Sequence, residues 1–458
     1  MFQKTINSTT LHNFKANLHG ELIVPGDATY DSARRVWNGM IVKYPALIAH
    51  CVDVADVVRA VQFAQDQHLE VAMRGGGHSF AGNGTCDGGL VIDLSAMKRI
   101  QVDPVKCIAS VQAGVTLGEC VRETQPFKLG IPVGTASETG LAGLTLGGGT
   151  GWLMGKYGLT IDSLLSVEIV TADGRVLKAS ADEHPDLFWA VRGGSGNFGI
   201  VTSFEFRLHP VGTLLAGLVT YPVSRAREVL RFYREFTPTT PDELTAGVAL
   251  ASTPDGLPMV ALGLCYCGPL AEGERFLEPI KTLGAPLVNQ IRPMSYLEVI
   301  SMLDAIVPRG RHYYSKACSL PTLSEGIFDA MIEAHTARPS PWTQIVLQHV
   351  HGATSRVGPT ETAFALRKEY HSLQIMASWT ADEALAADTT IKWVRGLWRA
   401  VEPFATNGTY INFLGSEEDE SAAVRASYGP NYKRLVQVKN AYDPTNFFHL
   451  NHNIKPTR

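Results

Sequence analysis

The chain lacks the features that mark several large classes of protein. Its 458 residues include 40 basic and 44 acidic side chains, so no basic excess is present to hold a nucleic-acid backbone. No apolar run reaches the roughly 18 residues that span a bilayer, and the N-terminal stretch contains no apolar signal-peptide core. We therefore expect a cytoplasmic protein with neither a nucleic-acid nor a membrane partner.

Cysteine is scarce and scattered. The seven thiols are an odd number in a long chain, which argues against a disulfide framework. Cys265 and Cys267 share one face of an apolar run, but no second cysteine pair lies nearby to complete a metal site. The sequence predicts buried free thiols and no metal.

Glycine, by contrast, is abundant, with 43 residues concentrated before residue 200. Residues 194–199 match the pattern G-x-G-x-x-G. A dinucleotide-binding fingerprint needs a strand before the glycines and a helix after them. Here the pattern predicts a helix before them, at 185–193, and a strand after them, at 199–208. We therefore reject a Rossmann site.

The predicted order of strands and helices changes near residue 210. Before it, residues 47–74 predict a strand, a helix capped by Asp53 and a second strand, which is a small α/β unit. After it, strands and helices alternate in a way that favours one sheet with helices on a single side. The length suggests two or three domains, and the fold class expected is α+β.

One glycine-rich turn follows a predicted strand directly. Residues 74–82 read R-G-G-G-H-S-F-A-G. Successive backbone N–H groups in such a turn form a concave site for a diphosphate. A lone loop histidine such as His78 is most often structural, but the glycines around it indicate that something approaches the backbone closely.

These segments resemble the flavin-linked oxidases of the vanillyl-alcohol oxidase superfamily, in particular the berberine bridge enzyme-like branch. The resemblance covers nearly the whole chain and rests on residues 74–82, 143–164, 170–174, 186–202 and 431–454. It implies three parts: a two-lobed FAD-binding domain at 1–210, a substrate domain with a helix-covered β-sheet at 211–415, and a C-terminal segment at 416–458 that returns to the first domain.

The resemblance also assigns the cofactor site. In the family, the histidine that matches His78 is bonded to the 8α-methyl carbon of FAD. Many relatives add a second bond from a cysteine in the pattern G-x-C-x-x-x-G, where this chain has Ala136. FAD is therefore expected on His78 only, as in the D-specific 6-hydroxynicotine oxidases, and Thr139 is expected where relatives control access of oxygen. The other residues assigned to FAD are Arg74, Gly75, Gly76, Gly77, Ser79, Gly134, Gly140, Gly143, Gly149, Gly199, Ile200, Val201, Asn451 and Asn453.

Strand alternation predicts the side chains that face the substrate. On predicted strands at 343–350 and 372–379, Gln344, Gln348 and Gln374 lie opposite the apolar residues. On a third predicted strand, 409–414, Tyr410 and Asn412 share a face. These polar faces meet either a cavity beside the flavin, as in the relatives, or solvent.

The expected catalytic residues are Tyr410, Gln374 and Gln348. Several relatives place a carboxylate on one of the first two strands as a base, and this chain has none there. Tyr410 is therefore the predicted base for an alcohol substrate, with Tyr314 or Lys316 as alternatives. An amine substrate needs no base, because the neutral amine loses hydride directly.

The predicted function is that of an FAD-linked oxidase. It takes a hydride from a C–OH or C–NH carbon of a secondary metabolite, sugar or cyclic amine and passes electrons to O2 to give H2O2. Alternatives are a dehydrogenase with a non-oxygen acceptor and a flavin-carrying sensor without turnover. The sequence leaves open the substrate and the choice between monomer and homodimer.

Overall fold

The computed structural model describes residues 6–253, 255–406, 408–415 and 420–457. A first sheet of mixed direction is built from β1 (Glu21–Ile23), β2 (Leu47–His50), β3 (Val71–Arg74) and β4 (Leu90–Asp93). Its order is β1-β2-β4-β3, with β4 parallel to both β2 and β3 and β1 antiparallel to β2. A crossover helix between β2 and β3 is the connection that parallel strands require.

A second sheet is antiparallel and follows in the chain. The strands in this part are β5 (Ile100–Asp103), β6 (Ile108–Gln112), β7 (Leu129–Gly130), β8 (Leu164–Val170), β9 (Val176–Ser180), β10 (Ile200–Arg207) and β11 (His209–Pro210). The sheet has the order β5-β6-β10-β8-β9, and β7 pairs separately with β11.

The helices of this half connect and cover the two sheets. They are α1 (Ser8–Asn17), α2 (Tyr30–Ala33), α3 (Val54–Gln67), α4 (Leu117–Thr124), α5 (Leu141–Gly147), α6 (Met154–Tyr157) and α7 (Pro185–Val191). The Asp53 side chain caps α3 by accepting a hydrogen bond from the Asp56 N–H at 3.0 Å, as predicted. Helix α3 contacts both β4 and β8, so it joins the two sheets.

The second half of the chain forms one large antiparallel sheet. Its strands are β12 (Leu214–Pro222), β13 (Leu244–Ser252), β14 (Pro258–Tyr266), β15 (Val288–Asn289), β16 (Arg292–Met294), β17 (His312–Leu320), β18 (Gln344–Val350) and β19 (Tyr370–Trp379). The order is β15-β12-β14-β13-β18-β19-β17, and β16 also pairs with β12.

Several helices cover one face of the large sheet. The remaining helices are α8 (Ala226–Phe236), α9 (Leu270–Leu277), α10 (Tyr296–Ser301), α11 (Glu325–Thr336), α12 (Ala353–Arg356), α13 (Ala387–Val401), α14 (Glu420–Tyr428) and α15 (Tyr432–Tyr442). Helices α8, α11 and α13 pack on the covered face and share an apolar core with Leu347, Leu373 and Ile375. The alternate residues of β18 and β19 therefore face the other way, as strand periodicity predicts.

Three expectations about the chain have clear outcomes. A helix, α7, precedes the glycines at 194–199 and a strand, β10, follows them, so rejection of the dinucleotide fingerprint is confirmed. All seven cysteines are free thiols, as predicted, but only five are buried, and Cys107 and Cys267 are half-buried. Among the described residues, no helix is long and apolar enough to cross a bilayer. The division at residues 210 and 415 stays a prediction.

The third predicted substrate strand is wrong. Residues Ile411–Phe413 form a single 3-10 turn, with Tyr410 in extended backbone just before it. The Asn412 side chain donates to the carbonyls of Gly143 and Leu144, both at 3.2 Å, which anchors the segment to α5. Six residues of mixed aromatic and apolar character do not distinguish a strand from such a turn, and the tertiary anchor decides.

Buried histidines predict how stability depends on pH. His349 stacks on His371 with ring centroids 5.0 Å apart, and burial lowers the pKa of each from 6.5 to about 3. Below pH 6.5 the unfolded chain binds protons that the native chain rejects, so stability falls as pH drops from about 6.5 towards 3.

We expect His371→Gln to make this acid loss of stability shallower. The measurement is the melting temperature between pH 7 and pH 4. His12→Gln, at an exposed position in α1, is the control and should keep the wild-type pH dependence. An unchanged slope in His371→Gln would show that this pair does not control acid stability.

Candidate active site

A cavity of about 420 Å³ lies between the glycine-rich loops of the first half and the face of the large sheet opposite α8, α11 and α13. One end is lined by the loop after β3 and by Leu450, Asn451 and His452 of the C-terminal tail. The other end is lined by β18, β19 and an overlying segment at 303–307. The same cavity therefore joins the predicted cofactor residues to the predicted substrate strands.

The cofactor end depends on backbones that carry no Cβ atom. A Cβ on Gly76 would lie 2.6 Å from Gly140 Cα, and a Cβ on Gly140 would lie 2.8 Å from Gly76 Cα. No real side chain tolerates such distances, so two loops cross here because both residues are glycine. Gly77, with φ +66°, then turns the chain towards His78.

Backbone donors are available beside this crossing. Among the described residues, none of the N–H groups of residues 76–79 donates to a protein acceptor. Arg74 lines the same end: its Nη2 donates to Asp93 Oδ2 at 2.7 Å, and its buried Nη1 has no hydrogen-bond partner within the described chain. Several unused donors in a glycine-lined concavity fit an anionic diphosphate.

His78 is held by aromatic stacking. Its ring lies over Trp37 with centroids 4.2 Å apart and planes at 19°, and Tyr313 stacks on the other face of Trp37 at 3.9 Å. Burial is the largest influence on its titration and lowers the pKa of His78 to about 4, with a smaller contribution in the same direction from Arg309. At neutral pH the imidazole is uncharged and one ring nitrogen keeps a lone pair.

Tyr410 brings a phenol to the cavity wall. Its Oη accepts hydrogen bonds from the Gly149 N–H and from Asn412 Nδ2, both at 2.9 Å. Burial raises the pKa of Tyr410, while the two N–H donors act in the opposite direction. The phenol is therefore protonated at neutral pH, and its own O–H is free to donate into the cavity.

The substrate end is polar but uncharged. Gln344, Gln348 and Gln374 all line the cavity, which confirms the facing predicted from strand alternation. Gln374 Nε2 donates to Ser315 Oγ at 3.5 Å, and Gln344 Nε2 donates to the Ile306 carbonyl at 3.4 Å. Within the described residues, the whole cavity lining contains no Asp, Glu or Lys side chain.

Most residues assigned from the sequence line this cavity. They are Arg74, Gly75, Gly76, Gly77, His78, Ser79, Gly134, Thr139, Gly140, Gly143, Gly199, Ile200, Val201, Gln348, Gln374, Tyr410 and Asn451. Gly149 and Asn453 do not line it. Gly149 instead positions the Tyr410 hydroxyl, and Asn453 lies next to the lining residue His452 in the tail.

Tyr314 and Lys316, the two alternative bases, face away from the cavity. Tyr314 Oη accepts from Arg395 Nε at 3.0 Å, and Lys316 Nζ lies 4.8 Å from the centroid of the Trp398 ring. Both partners belong to α13, which covers the opposite face of the sheet. Strand alternation in β17 explains the error, because Tyr313 and Ser315 occupy the positions that face the cavity side.

Sequence reasoning missed several wall residues. Trp37, Trp152 and the segment 303–307 line the cavity, and none lies in a periodic element that would reveal its direction. Trp37 is anchored by its Nε1, which donates to the Val307 carbonyl at 3.0 Å. The available signal was a tryptophan in a loop segment, which by itself does not identify a site.

A buried ion pair holds the tail that closes the cofactor end. Lys439 and Asp443 are fully buried, with Nζ and Oδ2 2.7 Å apart. Lys439 Nζ also donates to the carbonyls of Asn197 at 2.8 Å and Phe448 at 2.9 Å. Asn451 Nδ2 in turn donates to the Gly196 carbonyl at 3.2 Å, so the tail is fixed against the 194–199 loop.

Comparison with known proteins agrees with this arrangement. A family model for an FAD binding domain matches residues 45–180, and one for berberine and berberine-like proteins matches residues 409–455. An FAD-linked oxidoreductase of Dictyostelium discoideum is 32% identical over 461 residues, covering 99% of this chain and 98% of the relative. The (R)-6-hydroxynicotine oxidase of Paenarthrobacter nicotinovorans is 30% identical, covering 96% of this chain and 97% of its own.

Solved structures show the same likeness. The 6-hydroxy-D-nicotine oxidase of Arthrobacter nicotinovorans superposes with a TM-score of 0.85 at 30% identity, covering 96% of this chain and 98% of that one. A berberine bridge enzyme-like protein of Physcomitrella patens reaches 0.88 at 26% identity, covering 98% and 99%. The chain belongs to the berberine bridge enzyme-like family of FAD-linked oxidoreductases. It is an FAD-binding enzyme, and the predicted α+β fold, an FAD-binding domain of the vanillyl-alcohol oxidase type plus a substrate domain, is confirmed.

The close contact of Gly76 with Gly140 predicts that one added methyl group lowers both stability and FAD binding. Gly76→Ala should lower both the melting temperature and the amount of FAD bound, because the new Cβ displaces the backbone at Gly140. Thermal melting and the flavin absorbance of purified protein measure the two effects.

Gly396→Ala is the matched control. Gly396 lies in α13, where an added Cβ meets no atom within 4 Å. It should keep full FAD content and gain up to about 1 kcal/mol of stability, since alanine favours helix over glycine. Full FAD content in Gly76→Ala would show that the crossing is not required for the cofactor site.

Proposed function

We propose that the protein is an FAD-dependent oxidase that carries its flavin on His78 alone. It takes a hydride from the C–OH or C–NH carbon of a small uncharged molecule and passes the electrons to dioxygen, which yields hydrogen peroxide. The observation that supports this most directly is that His78 and the uncharged polar face of β18 and β19 line one cavity. When bound, FAD supplies the hydride acceptor.

The chain's own residues fit the cofactor. The free N–H groups of 76–79 and the Arg74 guanidinium would hold the diphosphate, because they are donors in a concavity with no carboxylate. The neutral ring of His78 supplies the lone pair that a covalent bond to carbon requires. These features support covalent attachment at that residue.

The cavity wall offers no cysteine that could form a second covalent bond to the flavin. Ala136 lines the cavity where relatives carry a cysteine, and none of the seven cysteines contributes to the lining. Cys120 is the cysteine nearest to Ala136 in the sequence. Burial raises its pKa to about 12, so its thiol stays protonated. A single link through His78 follows.

The uncharged wall restricts the substrate. A carboxylate or ammonium group placed against three glutamines and apolar residues would lose hydration without gaining an ion pair, which costs several kcal/mol or more. The glutamine amides instead offer donors and acceptors for hydroxyl, amide or heterocyclic groups. The relatives named for 6-hydroxynicotine and for carbohydrate illustrate a heterocyclic and a hydroxyl-bearing substrate.

Proton removal then depends on the substrate. A neutral amine transfers hydride without a protein base. An alcohol must lose its hydroxyl proton, and the Tyr410 oxygen, held by two N–H donors, takes it up only after releasing its own proton to solvent. Because burial raises the pKa of Tyr410, alcohol oxidation should become faster as the pH rises. Gln374 and Gln348 orient the substrate carbon.

We expect covalent flavin on His78. Acid-precipitated wild-type protein should stay yellow, and a proteolytic peptide containing His78 should carry the flavin mass. His78→Ala should still bind FAD without a covalent bond, because the donors of the cofactor end remain. Complete release of flavin from denatured wild-type protein, or a flavin-modified cysteine peptide, would contradict the single histidine link.

Tyr410→Phe tests proton removal. With an alcohol substrate, flavin reduction should slow by roughly 10²-fold or more, the usual scale for loss of a general base. With an amine substrate the rate should change little. A panel of neutral alcohols, oligosaccharides and cyclic amines, scored by peroxide release, finds the substrate, and anaerobic flavin bleaching then gives the rate.

Two further variants separate orientation from proton transfer. Gln374→Ala should weaken binding and reduction together. Tyr370→Phe is the control, because Tyr370 is also a buried tyrosine but does not line the cavity. A wild-type reduction rate in Tyr410→Phe with a proven alcohol substrate would exclude Tyr410 as the base.

A further inference from the structure

The stack of His78, Trp37 and Tyr313 joins the two halves of the molecule at the cofactor end of the cavity. Trp37 is 1% exposed and is fixed on several sides: its N–H donates to the Gly77 carbonyl at 2.9 Å, and its indole Nε1 donates to the Val307 carbonyl. Tyr313 Oη donates to the Pro308 carbonyl at 2.6 Å. Trp37 and Tyr313 therefore form a rigid support.

His78 depends on this support for its orientation. Within the described chain, its ring hydrogen-bonds only to its own backbone, and it lies nearly parallel to Trp37 at 4.2 Å. Stacking leaves the edge of the imidazole uncovered, and the edge is where both ring nitrogens lie. The lone pair of the unprotonated nitrogen lies in the ring plane, so the plane of Trp37 sets the direction in which that lone pair points.

We propose that Trp37 is a positioning residue for covalent flavin attachment: it fixes the His78 ring so that a ring nitrogen faces the methyl carbon it must attack. This role rests on the proposed covalent link at His78. Trp37 also packs against Tyr313 and Met376, so its position is fixed from the side of the large sheet.

The attachment step shows why orientation matters. A His78 nitrogen forms a bond to the 8α-methyl carbon, the methyl C–H bond breaks, and the ring N–H proton is also released. The two electrons and two protons reside on the isoalloxazine until dioxygen removes them as hydrogen peroxide, which restores the oxidised flavin. Misdirecting the attacking lone pair by about 1 Å costs on the order of 10²-fold in such reactions.

The test follows covalent attachment separately from flavin binding. Wild-type and variant proteins are expressed under flavin starvation, purified as flavin-free protein and incubated in air with excess FAD, and samples are acid-precipitated over time. Total bound flavin and melting temperature are measured on the same samples. Trp37→Leu should bind FAD but attach it roughly 10- to 100-fold more slowly, whereas Trp37→Phe, which keeps a stacking ring, should restore most of the rate.

Trp379→Leu is the matched control, because Trp379 is also a buried tryptophan but packs in the core on the other face of the sheet and does not line the cavity. It should attach flavin at the wild-type rate. If Trp37→Leu does not fold, Tyr313→Leu decides, because it removes the second stacking face and should slow attachment several-fold.

The outcomes separate this role from the proposed function. Wild-type attachment rates in Trp37→Leu, or in Tyr313→Leu where the first variant does not fold, would overturn the positioning role while leaving the covalent link intact. A wild-type protein that releases all its flavin on precipitation would overturn the link itself and the role of Trp37 with it.

Discussion

Two glycine loops cross at Gly76 and Gly140 with no space for a side chain, and the architecture of the site follows from that contact. The crossing brings the turn that contains His78 against the loop that contains Ala136 and Thr139. Because each backbone occupies the volume that a Cβ would need, neither loop can shift without separating from the other. The cavity is therefore formed by backbone, which places N–H groups at its surface.

A buried ion pair fixes the C-terminal tail at the other wall of the cofactor end. The Lys439–Asp443 pair is fully buried, and removing one partner of such a pair typically costs about 3–5 kcal/mol. The desolvation that lowers the pKa of Lys439 is offset by Asp443 and by two carbonyl acceptors. These bonds connect α15 to the 194–199 loop and to the tail, so the wall at Asn451 is fixed although it lies at the end of the chain.

Much of this arrangement is predictable from sequence, for identifiable reasons. Glycine clusters marked the loops, and two-residue periodicity gave the facing of Gln344, Gln348 and Gln374 because regular strands leave no freedom in direction. The failures fall where periodicity carries no information. Tyr410 reaches the cavity from extended backbone before a 3-10 turn rather than from a strand, and Trp37 comes from an irregular loop fixed only by contacts distant in sequence.

One end of the cavity carries backbone donors and the Arg74 guanidinium, and the other carries uncharged amides and apolar groups. The proposed oxidase passes electrons from the reduced flavin to dioxygen. Anaerobic photoreduction of the protein, followed by rapid mixing with buffers of increasing O2, tests this without knowledge of the substrate. We expect fast reoxidation, with a rate that rises with O2 concentration and with release of one H2O2 per flavin. Slow reoxidation by O2, together with fast reoxidation by a quinone dye, would contradict it and identify a dehydrogenase.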